Sequence, residues 1–265
     1  MDAEPRLVLD HISMVFERGG QSFTALSPID IQVRAGKFIS LIGPSGCGKS
    51  TIFNIVAGLQ LPTTGDVRID GEGATGTIGR VAYMLQKDLL LPWRTVVDNV
   101  ALGMEIRGVP MKEARERALP LLHRYGLGGF ETSYPSELSG GMRQRAALLR
   151  TLLIDTEVVL LDEPFGALDA QTKAQMQEWL LQLFEDFGRT VIFVTHDVEE
   201  AVFLSDDIYV MASRPGRVVD MMPVDLPRPR DRSVVSSPRF VTMKKYCLDL
   251  LHNSANQPEA KTAAA

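Results

Sequence analysis

Cysteine is nearly missing: only Cys47 and Cys247 occur in 265 residues. That excludes a disulfide framework and leaves the expectation of two reduced thiols in a cytosolic protein. A basic excess is missing too, since 28 Lys and Arg stand against 33 Asp and Glu for a net charge of −5. The chain therefore carries no electrostatic footprint for nucleic acid. Apolar runs such as TEVVLL and TVIFVT are strand-sized and fall far below the ~20 residues needed to span a bilayer. The N-terminal MDAEPRLVLD is acidic, with no positive stretch ahead of an apolar one, so no secretory signal is expected. Internal repeats are lacking as well. With 45% apolar and 23% charged residues, an ordinary core is available. The length suits one large domain, or a domain with a subdomain, better than two independent domains.

The order of elements points to an α/β fold. The first part reads as short strands, LVLDHISMVF and SPIDIQVRAG, around a Gly19-Gly20 turn, with Ile29, Ile31 and Val33 alternating. KFISLIG reads as a buried strand, followed by a glycine-rich turn. In KSTIFNIVAGL, Ile52, Ile55, Val56 and Leu59 recur at helical spacing. Roughly Leu89 to Gly129 reads as a helical insertion interrupted by Pro110, Pro120 and a glycine cluster. The alternation then resumes with EVVLLDEP, a helix over DAQTKAQMQEWLLQLFEDF stopping at Gly188, and the strands TVIFVTHD and DIYVM. Near-continuous Val, Ile and Leu strands between amphipathic helices predict a parallel sheet covered on both faces. From MPVDLPRPRDRSVVSSPRF onward the sequence reads as a linker and then a short helix. Ser237 caps that helix, Pro238 takes its first position, and Phe240, Met243, Cys247, Leu250 and Leu251 form its stripe. The closing NSANQPEAKTAAA reads as a disordered tail.

GPSGCGKST, covering Gly43, Pro44, Ser45, Gly46, Cys47, Gly48, Lys49, Ser50 and Thr51, has the spacing of a phosphate-binding loop and sits between a strand and a helix. Its glycines let backbone N–H groups surround a β-phosphate. Lys49 can reach β- and γ-oxygens, and the Ser50 hydroxyl can ligate Mg²⁺. Such a site needs acid at the end of a buried strand, and VVLLDEP supplies Asp162 for the metal and Glu163 to polarise the attacking water. Gln86 in AYMLQKD can contact the metal and that water, His196 closing TVIFVTH can touch the γ-phosphate, and Asp169 in GALDAQ follows by a short loop. Strand ends are where α/β sheets place their ligands. A second anion site stands at Ser139, Gly140 and Gly141 in YPSELSGGMRQRAALLRTLL, just before a helical run.

In this order GPSGCGKST, Gln86, LSGGM, VVLLDEP, GALD and VTHD resemble the ATP-binding subunit of an ABC transporter, from about residue 7 to about residue 230. LLLPWRTVVDNVALG and DEPFGALDAQTKAQMQEWL resemble its nitrate, sulfonate and taurine importer branch. The resemblance implies a P-loop ATPase fold: a mostly parallel sheet covered by helices, an N-terminal antiparallel β subdomain, and a helical signature subdomain over about 88–155 within a domain of about 1–225. It implies ATP with Mg²⁺, and a head-to-tail dimer sandwiching two ATP molecules. Ser139, Gly140 and Gly141 would then face the γ-phosphate held by the loop of the other subunit. Phe16 would stack on adenine, Lys49, Ser50 and Thr51 would bind phosphates and metal, and Gln86 would sense the γ-phosphate. Asp162 would serve the metal, Glu163 would be the general base, Asp169 would communicate across the dimer, and His196 would clamp the γ-phosphate. Met142 departs from the glutamine usual at the fifth signature position. Leu89, Leu90, Leu91 and Trp93 would line a groove for a cytoplasmic helix of an integral permease subunit. A solute-binding protein would take part indirectly, and the chain would sit on the cytoplasmic face of the membrane.

A DNA-maintenance ATPase with the same head needs long coiled coils between loop and signature, whereas about 90 residues without sustained heptads separate Lys49 from Ser139. A kinase or signalling GTPase would share the loop and lack LSGGM. An exporter or a non-transport ATPase of the same family stays open as the alternative.

Overall fold

The computed structural model describes residues 4–166 and 168–255. The chain forms two compact units, one made of the chain up to Ile78 and from Val194 onward, the other of Gly79–Phe193.

The first unit opens with β1 (Pro5–Arg18) and β2 (Gln21–Arg34), which pair antiparallel around a Gly19-Gly20 turn. Those glycines have φ of 59° and 79°, the left-handed pair that a two-residue hairpin turn demands. Each strand spans 14 residues, longer than the short strands expected. The buried positions Leu26, Ile29, Ile31 and Val33 of β2 face the core while their neighbours stay wet. β3 (Phe38–Ile42), α1 (Lys49–Val56), β4 (Thr64–Ile69) and β5 (Glu72–Gly73) follow. The hairpin joins the last two strands in an antiparallel sheet of order β2-β1-β4-β5. Its register sets Leu7 against Ile69 and Leu9 against Val67, all four buried. The expected N-terminal antiparallel subdomain is this sheet.

The second unit begins with β6 (Val81–Met84), continues through α2 (Val96–Ile106), α3 (Met111–Arg124) and α4 (Gly140–Leu152), and then adds β7 (Val158–Asp162), α5 (Ala170–Phe187) and the start of β8 (Thr190–Thr195). β6 and β7 pair in parallel. Pro120 does not interrupt α3, which runs through it. Proline removes one helical N–H and crowds the carbonyl four residues back, but both Pro120 and Glu116 lie on the exposed face while Ala114, Ala118 and Leu122 bury the other. α5 stops at Gly188, φ 60°.

The chain then returns to the first unit with α6 (Val198–Leu204), β9 (Asp207–Ala212), β10 (Arg217–Pro223) and α7 (Pro238–Ala255). β3 and β9 are parallel, β10 pairs antiparallel with β9, and the strands stand in the order β10-β9-β3 with the end of β8 next to β3. Every residue of β3 and β8 is buried, which explains their unbroken apolar composition. β10 corrects the reading of Met222–Pro223 as the start of a linker. Its core contribution is a single buried Met222 in a mostly half-buried edge strand, too little alternation to announce a strand. α7 is 18 residues long rather than short, and it takes in Asn253–Ala255, assigned from sequence to the tail. Phe240, Met243 and Cys247 bury its stripe, while Leu250 and Leu251 are half-buried. The Ser237 hydroxyl accepts the N–H of Phe240 as expected. The rest of the expected disordered tail, 256–265, lies outside the described residues.

Candidate functional site

In the first unit the loop after β3 is shaped by glycine. Gly46 and Gly48 have φ of 78° and 94°, and a Cβ on Gly48 would stand 2.3 Å from Leu26 Cδ2. At Gly43 a Cβ would collide with Cys47 Sγ at 2.7 Å and the Met211 carbonyl at 2.8 Å. The N–H of Cys47 donates to the Pro44 carbonyl at 3.2 Å, tightening the turn. Gly48 caps α1 with no side chain to accept from its first turn. The N–H groups of Lys49, Ser50 and Thr51 therefore sit at the positive end of the helix dipole, available to an anion. Lys49 is 7% exposed, and its Nζ donates to the carbonyls of Gly43 at 2.7 Å and Pro44 at 3.2 Å. Burial pushes the neighbouring Cys47 thiol up in pKa, against the opposing pull of the Lys49 charge, which keeps it a protonated packing group. Ser45 and Ser50 are exposed, and Thr51 is half-buried.

His196 follows β8 and is exposed, while Asp197 after it caps α6 by accepting from the N–H groups of Glu199 and Glu200. Phe16 lies opposite Phe23 in the hairpin and is 41% exposed. It is not a core residue.

The second unit assembles Gln86, Asp162 and Glu163. Parallel pairing sets Met84 beside Leu161, so the residues just beyond leave the sheet at one end. Gln86 Nε2 donates to Glu163 Oε2 at 3.5 Å, and the Tyr83 hydroxyl donates to Asp162 Oδ2 at 3.4 Å. Burial, with the Asp162 charge behind it, pushes the Tyr83 phenol far up in pKa, so it remains a donor to that carboxylate. Glu163 adopts φ 44°, a region that residues with a side chain rarely occupy. The N–H of Gly166 bonds the Glu163 carbonyl at 3.1 Å. A Cβ on Gly166 would come within 3.8 Å of Glu163 Oε2 and 4.0 Å of Gln86 Nε2, so Gly166 forms one wall of this cluster. Tyr83 and Gly166 escaped sequence reasoning. The first sits in an ordinary strand pattern, and the second opens GALD, where only Asp169 drew a role.

Asp169 caps α5, its Oδ1 accepting from the N–H groups of Gln171 and Thr172 and its Oδ2 from the Thr172 hydroxyl at 2.6 Å. These bonds, the Thr172 hydroxyl first, hold its carboxyl below the usual range. Ser139 caps α4, accepting from the Met142 N–H at 3.3 Å. Neither Gly140 nor Gly141 has positive φ. A Cβ at Gly141 would press on Thr172 Cγ2 at 2.9 Å, whereas one at Gly140 meets nothing nearer than 3.9 Å. Packing within the chain thus accounts for one signature glycine and not for the other. Of the apolar quartet after Gln86, Leu90 is core at 7% exposure, Leu91 is half-buried, and Leu89 and Trp93 stand out at 51% and 72%.

A glycine-walled loop with a buried lysine at a strand-to-helix turn, and an acidic pair ending a buried strand, define a P-loop nucleoside triphosphatase. The family model for ABC transporters matches residues 26–166. An "Uncharacterized ABC transporter ATP-binding protein" of Methanocaldococcus jannaschii is 44% identical over 246 residues, covering 93% of this chain and 91% of that protein. The taurine import ATP-binding protein TauB of Pseudomonas aeruginosa strain UCBPP-PA14 is 42% identical over 249 residues, covering 92% and 95%. Among solved structures, a dimeric post-hydrolysis ATP-binding cassette bound to ADP and Pi matches with TM-score 0.73 at 30% identity, over 83% of this chain and 100% of that one. The chain belongs to the ABC transporter family, as an ATP-binding subunit and ATPase. Among the described residues no helix is long and apolar enough to cross a membrane.

Proposed function

We propose that this chain is the engine of an importer for a small anionic solute of the nitrate, sulfonate or taurine kind, and that it works by ATP-driven pairing of two copies. The observation carrying the engine is the cluster in which two parallel strands deliver Gln86, Asp162 and Glu163 to one sheet end, with the Gln86 amide on the Glu163 carboxylate at 3.5 Å. The solute class rests on relatives such as the TauB proteins, near 40% identity over 86% or more of the chain.

In this reading the amides of Gly43–Gly48 with Lys49, Ser50 and Thr51 hold the phosphates of ATP, and Phe16 stacks on the base. Ser50, Gln86 and Asp162 offer only oxygen donors, which suits the hard cation Mg²⁺, and the ion's chemistry is neutralisation of phosphate charge. Glu163 takes the proton of the attacking water and His196 holds the γ-phosphate. Ser139, Gly140 and Gly141 of the second copy turn amides toward the same phosphate, with Asp169 relaying closure between copies. Leu89 and Trp93 receive a cytoplasmic helix of an integral permease subunit, which in turn receives solute from a binding protein. The chain works as a peripheral subunit on the cytoplasmic face.

The test is a pull-down from native membranes with tagged Glu163→Gln and Mg-ATP, because that change keeps binding and blocks turnover. Co-purification of an integral membrane protein supports the transporter reading, and its cognate binding protein can be titrated with taurine, alkanesulfonates and nitrate. Recovery of only the chain itself or soluble factors, with ATP still driving dimerisation, removes the transport role.

A further inference from the structure

Three side chains leave α4 for three segments that the proposed function uses. Arg143 donates from Nη1 to the Leu138 carbonyl at 2.7 Å, directly before Ser139, and from Nε to Asp88 Oδ2 at 3.3 Å. Gln144, 8% exposed, gives its amide Nε2 to the carbonyl of Pro164, the residue after Glu163. Arg150, two turns along, donates to the consecutive carbonyls of Asp88 at 2.5 Å and Leu89 at 2.7 Å, just past Gln86. Both loops so held contain a non-glycine residue in the left-handed region, Leu89 at φ 46° and Glu163 at φ 44°. Such conformations persist only where the surroundings over-determine them. The donors from α4 land on the carbonyl of the first and on the carbonyl next to the second.

The far side of the Leu89 loop is held independently. Asn99 of α2 is fully buried, accepts the Leu91 N–H at 2.7 Å, and donates to the carbonyls of Leu91, Arg94 and Thr95 at 3.0–3.1 Å. The segment between Gln86 and α2 is therefore clamped at both ends, and one clamp belongs to the helix that begins with Ser139, Gly140 and Gly141.

We infer that Gln144 and Arg150 are positioning residues for hydrolysis. They tie the backbone beside the Glu163 carboxylate and the loop following Gln86 to the signature helix, so the catalytic pair is set only when that helix is seated. This rests on the proposed roles of Glu163 as base and Gln86 as γ-phosphate sensor. A purely structural staple would affect folding and nucleotide affinity alike; a positioning role affects turnover first.

The test measures ATP turnover, equilibrium binding of a fluorescent ATP analogue, and thermal melting for wild type, Gln144→Leu, Arg150→Lys and Glu163→Gln. The Leu variant keeps the volume and loses the donor; the Lys variant keeps the charge and loses the two-pronged bond to the consecutive carbonyls. Expected are a fall in kcat of about tenfold or more in both, with analogue affinity within about twofold of wild type and a melting temperature lowered by no more than about 5 °C, the cost of one lost buried donor. Wild-type turnover in both, with Glu163→Gln inactive, overturns this inference and leaves the proposed function standing. Parallel loss of affinity, melting temperature and kcat reduces both residues to structural staples and also overturns it. Should Gln144→Leu fail to fold, Arg150→Lys carries the decision. Full turnover by Glu163→Gln overturns the reading of the base itself, and the inference with it.

Discussion

At the scale of single residues, the space around a missing side chain separates packing from function. Gly140 has room for a Cβ and no positive φ, so alanine there carries no steric penalty and restricts the unfolded chain more than glycine does. Gly140→Ala is therefore expected to melt at or above the wild-type temperature while its ATP-dependent dimerisation and turnover fall. Normal ATPase in that variant would mean that no phosphate approaches this backbone. Trp93 offers the complementary case, 72% exposed beside a buried Leu90. Trp93→Ala should leave basal ATPase of the isolated subunit within about twofold, a difference below 0.5 kcal/mol, and uncouple hydrolysis from transport in the assembled complex. An equal loss of basal ATPase would move Trp93 from the partner surface into the fold. These two positions were legible in sequence as types, a signature glycine and an aromatic in an apolar run. Their surroundings were not.

At the scale of elements, two contacts bind helices to their units and set measurable consequences. Phe240 is fully buried where α7 packs on α6 and β9, so Phe240→Ala should cost about 3–5 kcal/mol through lost burial and cavity formation. Chemical denaturation would show it as a shifted midpoint at constant slope. Tyr125, at the end of α3, donates its hydroxyl to Asp186 of α5 at 2.5 Å, and Arg124 bonds the other oxygen at 2.6 Å. Burial, then Asp186, pushes the Tyr125 phenol up to about 12. A pKa raised by folding favours the protonated phenol, so its contribution is fully present below the ordinary value near 10 and disappears as pH climbs toward 12. Stability of the wild type should fall across that window more steeply than that of Tyr125→Phe; identical slopes would show that the phenol is not coupled to folding. The elements themselves were legible where periodicity was strong, as in α5 with Met176, Trp179, Leu180 and Leu183 buried. β5 and β10 were not, because short or edge strands with half-exposed faces carry little alternation, and β4 was not, because its alternation spans only four residues. α3 passed through Pro120 because the proline lies on its exposed face and Ala114, Ala118 and Leu122 still bury the other.

At the scale of the whole molecule, the proposed function makes the engine a pair of copies. Glu163→Gln with Mg-ATP is expected to elute from a sizing column as a dimer, reverting to monomer when ATP is replaced by ADP. A monomer under both conditions would remove the sandwich from the mechanism, since occupancy of the nucleotide site by itself adds stability without pairing.

The sequence by itself determined the chemistry: the loop spacing from Gly43 to Thr51, the Asp162-Glu163 pair, the LSGGM segment and the alternation of strands with helices are local patterns. Local patterns are readable because each needs only its own residues at its own spacing. Tertiary structure alone decided that Gln86 meets Glu163, that Tyr83 reaches Asp162, that Cys47 is an inert packing group, and that α4 reaches the loops after Gln86 and Glu163 through Arg143, Gln144 and Arg150. Those relations join residues from about 20 to nearly 80 positions apart, and strand register and helix packing, which no single segment encodes, bring them together.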